Sequence, residues 1–285
     1  MTIRTKMNVY AIAFAAAFIG ERVGAAPILP YYGAATFTPG APVDHPYFPM
    51  TDTLTRTYEG EYEEGGEIMT ESFRLTNVGS GRTLLGVQTW TQLDEAYEGE
   101  LLVEKTNDYY AQDTDGNVWY FGEDVENFIY DEDDNLIETN TSSSWLAGVN
   151  GALPGIIMPA APVTGFSYFQ EWAVADDALD HGTITGVGNT ITIDIGTFYN
   201  VVQILEGSVL DPDFREFKYY ASGIGLIFAQ EDLDVNQHNP ELEVQLVATV
   251  PIPAAFPLLT SALVGMGFVA RRRVACGSAR GRDKL

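Results

Sequence analysis

The 285 residues carry 40 acidic side chains against 15 basic ones, and the imbalance is steeper in the middle of the chain. Nine basic but only two acidic residues fall within the first 25 and last 35 positions, so six basic residues face 38 acidic ones between them, a net charge of −32. Such a body excludes nucleic acid and anionic lipid as partners on electrostatic grounds, and with Cys276 as the single cysteine it cannot be held by disulfides.

The chain opens with Arg4 and Lys6, an apolar core from Val9 to Ile19, and the small residues Val23-Gly24-Ala25. That order reads as a secretory signal peptide over residues 1–25, whose helical core is too short for a membrane span, and it predicts export of the body. Residues 26–52 contain Pro27, Pro30, Pro39, Pro42, Pro46 and Pro49. Proline removes backbone donors and fixes φ, so this stretch is expected to be an extended arm outside any sheet.

From Thr53 the pattern becomes one of strands. Thr53 to Tyr62, Ile68 to Val78 and Leu84 to Trp90 are separated by Glu64-Gly65-Gly66 and Gly79-Ser80-Gly81, which read as hairpin turns. Leu101 to Ala111 and Val118 to Phe121 flank Asp113-Thr114-Asp115-Gly116-Asn117. That loop begins like a calcium-binding loop, but its glycine stands at the fourth position where the sixth is required, so a hairpin turn is the better reading. Residues 148–164 hold three prolines around Ile156, Ile157 and Met158. They are read as a long loop whose apolar centre closes the concave side of the sheet, with those three residues as a candidate lid. Farther on, Ile191, Ile193 and Ile195 alternate with Thr192 and Asp194, and Leu242, Val244 and Leu246 with Glu243 and Gln245, as half-buried antiparallel strands do. No long window of the body has a helical period. The fold expected for residues 53–249 is therefore all-β, a single antiparallel and strongly curved, half-barrel-like sheet forming one acidic domain.

Reactive constellations are sparse. His45, His181 and His238 are far apart and match no metal-ligand spacing, and Gly-x-Ser-x-Gly is absent. The acidic runs, among them Glu123-Asp124 and Asp131 to Asp134, read as a solvated surface, and Trp119 and Tyr219 as core. No catalytic residue, metal site or cofactor is expected, and enzyme activity is not.

The C-terminal end has its own grammar: Val250-Pro251-Ile252-Pro253-Ala254, an uncharged apolar run to Ala270, then Arg271-Arg272-Arg273, with residues 274–285 as a basic tail. Residues 254–270 would make a helix about 25 Å long, and three arginines after it favour the cytoplasmic side. Residues 250–273 resemble the PEP-CTERM class of bacterial sorting signals in its VPLPA variant. The resemblance implies that, after signal peptidase has acted on the leader, the C-terminal helix anchors the protein in the membrane until an exosortase cleaves near the box. The destination it implies is the cell surface or the extracellular polysaccharide matrix. Within the body, residues 117–123, 154–159 and 218–227 resemble stretches of exported bacterial β-proteins of unknown function, similar in pattern to curved half-barrels of lipoprotein-carrier type. The sequence leaves two readings: a non-enzymatic surface protein with a packed interior, set among extracellular polysaccharide, or a binding module holding an apolar, lipid-like ligand in the hollow of its sheet. A lined cavity beneath residues 148–164 would favour the second.

Overall fold

The computed structural model describes residues 26–251, which contain seventeen strands, two single 3-10 turns and no α-helix. Both expected terminal helices lie outside these residues, as do Ile252, Pro253, Ala254 and Arg271 to Arg273. Strands β1 (Asp44–His45) and β2 (Phe48–Pro49) form a small hairpin of their own. The main sheet is built from β3 (Leu54–Glu64), β4 (Glu67–Leu84), β5 (Val87–Glu98), β6 (Leu101–Gln112), β7 (Val118–Tyr130), β8 (Leu136–Asn140), β9 (Trp145–Leu146) and β10 (Leu153–Met158). It continues with β11 (Ser167–Phe169), β12 (Glu171–Trp172), β13 (Asp180–Ile193), β14 (Gly196–Ser208), β15 (Arg215–Ala221), β16 (Gly225–Glu231) and β17 (Leu242–Pro251).

Its order is β11-β13-β14-β15-β16-β17-β3-β4-β5-β6-β7-β10-β12, with β8 and β9 also on β7. The two ends of that order are neighbours in the chain. Ser167, Tyr168 and Phe169 pair with β13, the Gln170 N–H donates to the Asp180 carbonyl, and then Glu171 and Trp172 pair with Pro154 and Leu153 of β10. One six-residue segment thus changes partner at Gln170 and joins the sheet's edges, so the half-barrel expected from the sequence curls on until it nearly closes. Closure at this joint shortens the unpaired edges that a sheet this long would otherwise expose.

Three expectations need correction. Residues 148–164 are not a loop across an opening: Leu153–Met158 is strand β10, with Gly155 opposite Tyr120, Ile156 opposite Trp119 and Met158 opposite Val118. The prolines mark the ends of this short strand, where a missing N–H costs little. Met158 is fully buried and Ile156 nearly so, in the wall of the barrel and not above it. Gly79-Ser80-Gly81 is not a turn either. β4 runs through it with register shifts, Gly79 taking φ +106°, and reverses only at Leu85-Gly86. A glycine pair that reads as punctuation is here a bulge that bends one long strand.

The proline-rich arm, expected to lie outside any sheet, instead forms the β1–β2 hairpin, bridges Tyr168 of β11 through Ile28 and is fastened down, because its prolines leave these short pairings free to donate and accept. Tyr32 and Phe37 pack edge-on against Trp119 and Phe121, the Trp90 indole donates to the Ala41 carbonyl at 2.8 Å, and Gly223 N–H donates to the Pro46 carbonyl at 2.7 Å. Phe48 of the hairpin reaches between Tyr110, 4.9 Å away centroid to centroid, and Tyr220. The arm is thereby a plug.

The seam tolerates no side chain where the two segments cross. A Cβ on Gly155 would lie 2.3 Å from the Gln170 carbonyl oxygen, a backbone atom that cannot step aside. Gly155→Ala should therefore destabilise the barrel by about 2 kcal/mol or more in urea unfolding. A change within about 0.5 kcal/mol would mean that the seam is not a structural joint.

Candidate functional site

Alternation along the strands decides what enters the lumen. On β15, Glu216, Lys218 and Tyr220 point inward and stand opposite Glu206, Ile204 and Val202 of β14. On β3, Arg56 and Tyr58 lie opposite Leu75 and Phe73 of β4, which lie opposite Asp94 and Ala96 of β5; Gln92 and Asp108 continue the polar row onto β6. These side chains line a cavity of about 260 Å³ whose wall also includes Leu226, Ala229 and Glu231 of β16 and Ile157 of β10. It is closed at one place by Phe48 and Pro49 of the arm. The volume is just below the range usual for small-molecule sites.

The apolar part of the wall is aromatic. Tyr58 and Phe73 stack at 4.4 Å with their planes 12° apart, and the Tyr58 hydroxyl donates to the Leu226 carbonyl at 2.9 Å. The polar part is an excess of acids around few cations. Lys218 Nζ donates to Glu206 Oε2 at 2.8 Å and to Glu216 Oε1 at 2.9 Å, while Gln170 Nε2 donates to the other Glu206 oxygen at 2.7 Å. Burial alone would push the Lys218 ammonium down, but Glu206 and Glu216 outweigh it and hold it well above its ordinary value. Arg56 is 4% exposed and gives both terminal nitrogens to Asp52, at 2.6 and 3.3 Å.

The remaining carboxyls are pushed up. Burial raises Asp94 well above the usual carboxylate range, with Asp108 and Glu104 adding to it, and raises Glu171 likewise, with Asp180 next. Asp108 is carried to about 7 and Glu216 to about 7, while Glu231 reaches about 8, in each case chiefly by burial. Geometry supports proton retention independently at one point. Tyr120 Oη lies 2.6 Å from Asp108 Oδ1 and 2.9 Å from Glu123 Oε2, yet a phenol has a single proton to donate, so one of these acids carries its own. Glu123, raised well above its ordinary value by burial and by Glu171, is the acid that keeps it.

Of the residues singled out in the sequence, Ile157 borders the cavity while Ile156 and Met158 pack in the wall. Val250 and Pro251 form the exposed end of β17. Trp119 and Tyr219 are buried, as expected, and Asp113 caps its hairpin by accepting from the N–H groups of Asp115 and Asn117. The lumen acids were missed. Glu216 and Lys218 fall two apart in a strand, the one available signal, but alternating charge reads as the wet face. Among the described residues no group of three or more His, Cys, Asp or Glu side chains is set to hold a metal ion.

No family model matches this sequence, and no curated protein does. Three solved structures align with this chain at low similarity. A candidate exported protein with a YmcC-like fold from Bacteroides fragilis is 10% identical, with 71% of this chain and 98% of that one covered at a TM-score of 0.35. A candidate lipoprotein from Parabacteroides distasonis is 12% identical, with 71% and 97% covered and a TM-score of 0.36. A β-barrel-like protein of domain of unknown function DUF1849 from Brucella abortus is 9% identical, with 77% and 100% covered and a TM-score of 0.38.

Retained protons give stability a definite pH dependence. Asp108, Glu216 and Glu231 release theirs near pH 7 to 8 in the folded barrel but near pH 4 when unfolded, so between those limits the folded form binds more protons. Stability is present at the acid end of that window and is lost as pH rises through it. The urea midpoint should fall between about pH 5.5 and 8.5, and the fall should persist in about 0.5 M salt, which screens surface repulsion but not the lumen. Lys218→Met should cost about 3 kcal/mol at the alkaline end, where Glu206 and Glu216 lose their cation, and less at the acid end. Equal losses at both ends would show that the ion pairs are not what Lys218 contributes.

Proposed function

We propose that this chain is an exported, non-enzymatic β-barrel module that holds a small ligand in its lumen. The observation that carries the reading is the 260 Å³ cavity inside the barrel, with a stacked aromatic pair on one wall and buried polar groups on another. An interior meant only to stabilise would fill such a space, since each unfilled methylene costs free energy. Of the two readings drawn from the sequence, the cavity favours the binding module, with Ile157 of residues 148–164 on its wall. Its polar lining makes a purely apolar occupant a poor match.

Export and sorting rest on the sequence: the leader over residues 1–25, and the resemblance of residues 250–273 to a PEP-CTERM signal. On this reading signal peptidase and an exosortase process the two ends, and the barrel reaches the cell surface or the extracellular polysaccharide matrix. The exposure of Val250 and Pro251 at the end of the last strand is compatible with access by a protease at that point.

Filling the cavity is the test. Ala96 sits on its wall, and Ala96→Phe adds a ring where the space is. Native mass spectrometry of the protein purified from its host should show a bound small molecule on the wild type and none on the variant. Retention of the same molecule by Ala96→Phe would move the site elsewhere, and its absence from both proteins would contradict the reading.

A further inference from the structure

Two groups on the cavity wall are left without partners, and they are of opposite kind. Arg56 Nε–H is a buried donor and Asp94 Oδ1 a buried acceptor, and among the described residues neither finds a hydrogen bond. The register places both on the inner face with Leu75 between them, Arg56 opposite Leu75 on β4 and Leu75 opposite Asp94 on β5. Two strand spacings put their backbones about 10 Å apart. An unmade hydrogen bond in a buried place is unfavourable, more so for a charged group, so two on one cavity wall point to an occupant that makes both.

The chemistry of the occupant is set by the partners already taken. Asp52 pairs with Arg56 through both terminal nitrogens, and Glu206 and Glu216 pair with Lys218, so neither lumen cation brings uncompensated positive charge to an anionic ligand. On the acid side Asp94 faces no cation at hydrogen-bond distance among the described residues, and the carboxyl groups of Asp108, Glu216 and Glu231 line the same cavity as further acceptors. Next to Asp94 stands Ala96, opposite Phe73, which stacks on Tyr58. Aromatic rings beside a carboxylate favour a cation joined to hydrocarbon.

We propose that the lumen takes a small organic amine, its ammonium group against Asp94, a neutral oxygen acceptor such as a hydroxyl at Arg56 Nε, and its apolar body over Tyr58 and Phe73. The assignment rests on the reading of the cavity as a ligand site. The docked ammonium gives the Asp94 carboxylate the cationic partner that it lacks. The Arg56 N–H gains its acceptor without a change in charge.

Calorimetric titration of the full chain with three matched probes tests this: phenylalaninol, which carries amine, hydroxyl and ring, and its neutral and anionic counterparts phenylpropanol and phenylpropanoate. Phenylalaninol should bind at least about tenfold more tightly than phenylpropanol, and phenylpropanoate should not bind measurably. Asp94→Asn should reduce the amine to the affinity of the neutral alcohol while leaving that alcohol unchanged, a result that a merely destabilised barrel would not give. The amine assignment is overturned if the alcohol or the anion binds as tightly as the amine, or if Asp94→Asn leaves phenylalaninol unaffected. Should the alcohol bind and Ala96→Phe abolish it, the cavity reading survives that failure. If none of the three probes binds, both fall together.

Discussion

Glu206 is where the architecture and the chemistry of this barrel meet. One of its carboxylate oxygens accepts from Gln170, at the point where the closing segment passes from β13 to β10, and the other accepts from Lys218, among the lumen acids. Gly182, opposite Glu206 on β13, keeps the space free: a Cβ there would lie 3.2 Å from the Gln170 side chain. The joint that turns a curved sheet into a barrel is thus held by the same carboxylate that anchors the interior's amine. Buried polar networks of this kind are costly when half satisfied, which ties the seam and the lumen to a common fate.

Around that joint the interior departs from ordinary packing. A body with only six basic residues places two of them, Arg56 and Lys218, inside the barrel, each neutralised by acids close at hand. Asp94, Glu123 and Glu171, half-buried in the same interior, are held above the usual carboxylate range, because burial disfavours the charged form. Protonated carboxyls donate as well as accept, and the Tyr120 hydroxyl between Asp108 and Glu123 shows how such groups are linked. The lumen is therefore a polar chamber with an aromatic wall. Such a chamber has a use for an occupant that brings its own positive charge.

The sequence revealed the fold where one face of a strand is wet and failed where neither is. Ile191 and Ile193 alternate with polar neighbours, as do Leu242, Val244 and Leu246, and both segments are strands as read, except that Ile195 falls in the exposed turn after β13. In Arg215–Ala221 the outward Phe217 and Tyr219 are as aromatic as the inward Tyr220 is, and the inward Glu216 and Lys218 are charged, so alternation does not tell which face of this strand lines the lumen. Strand β10 was hidden by its prolines, and the bend in β4 by glycines that look like a turn. Closure itself was illegible. It depends on Gln170 meeting Asp180 across the seam, and nothing in the spacing of those residues announces a change of partner. The candidate site was invisible for a related reason: its acids Asp94, Asp108, Glu216 and Glu231 stand on β5, β6, β15 and β16, and only the register gathers them.

On the present reading the inner face, and not the outer surface, receives the ligand. Methyl NMR spectra of the full chain titrated with phenylalaninol address this most directly, because Leu75, Ala96, Ile157 and Leu226 report from the cavity wall and Leu136, Val187 and Val235 from exposed positions. Shifts are expected at the first group and none at the second. Shifts confined to the exposed methyls, with the cavity methyls unmoved, would contradict binding in the lumen.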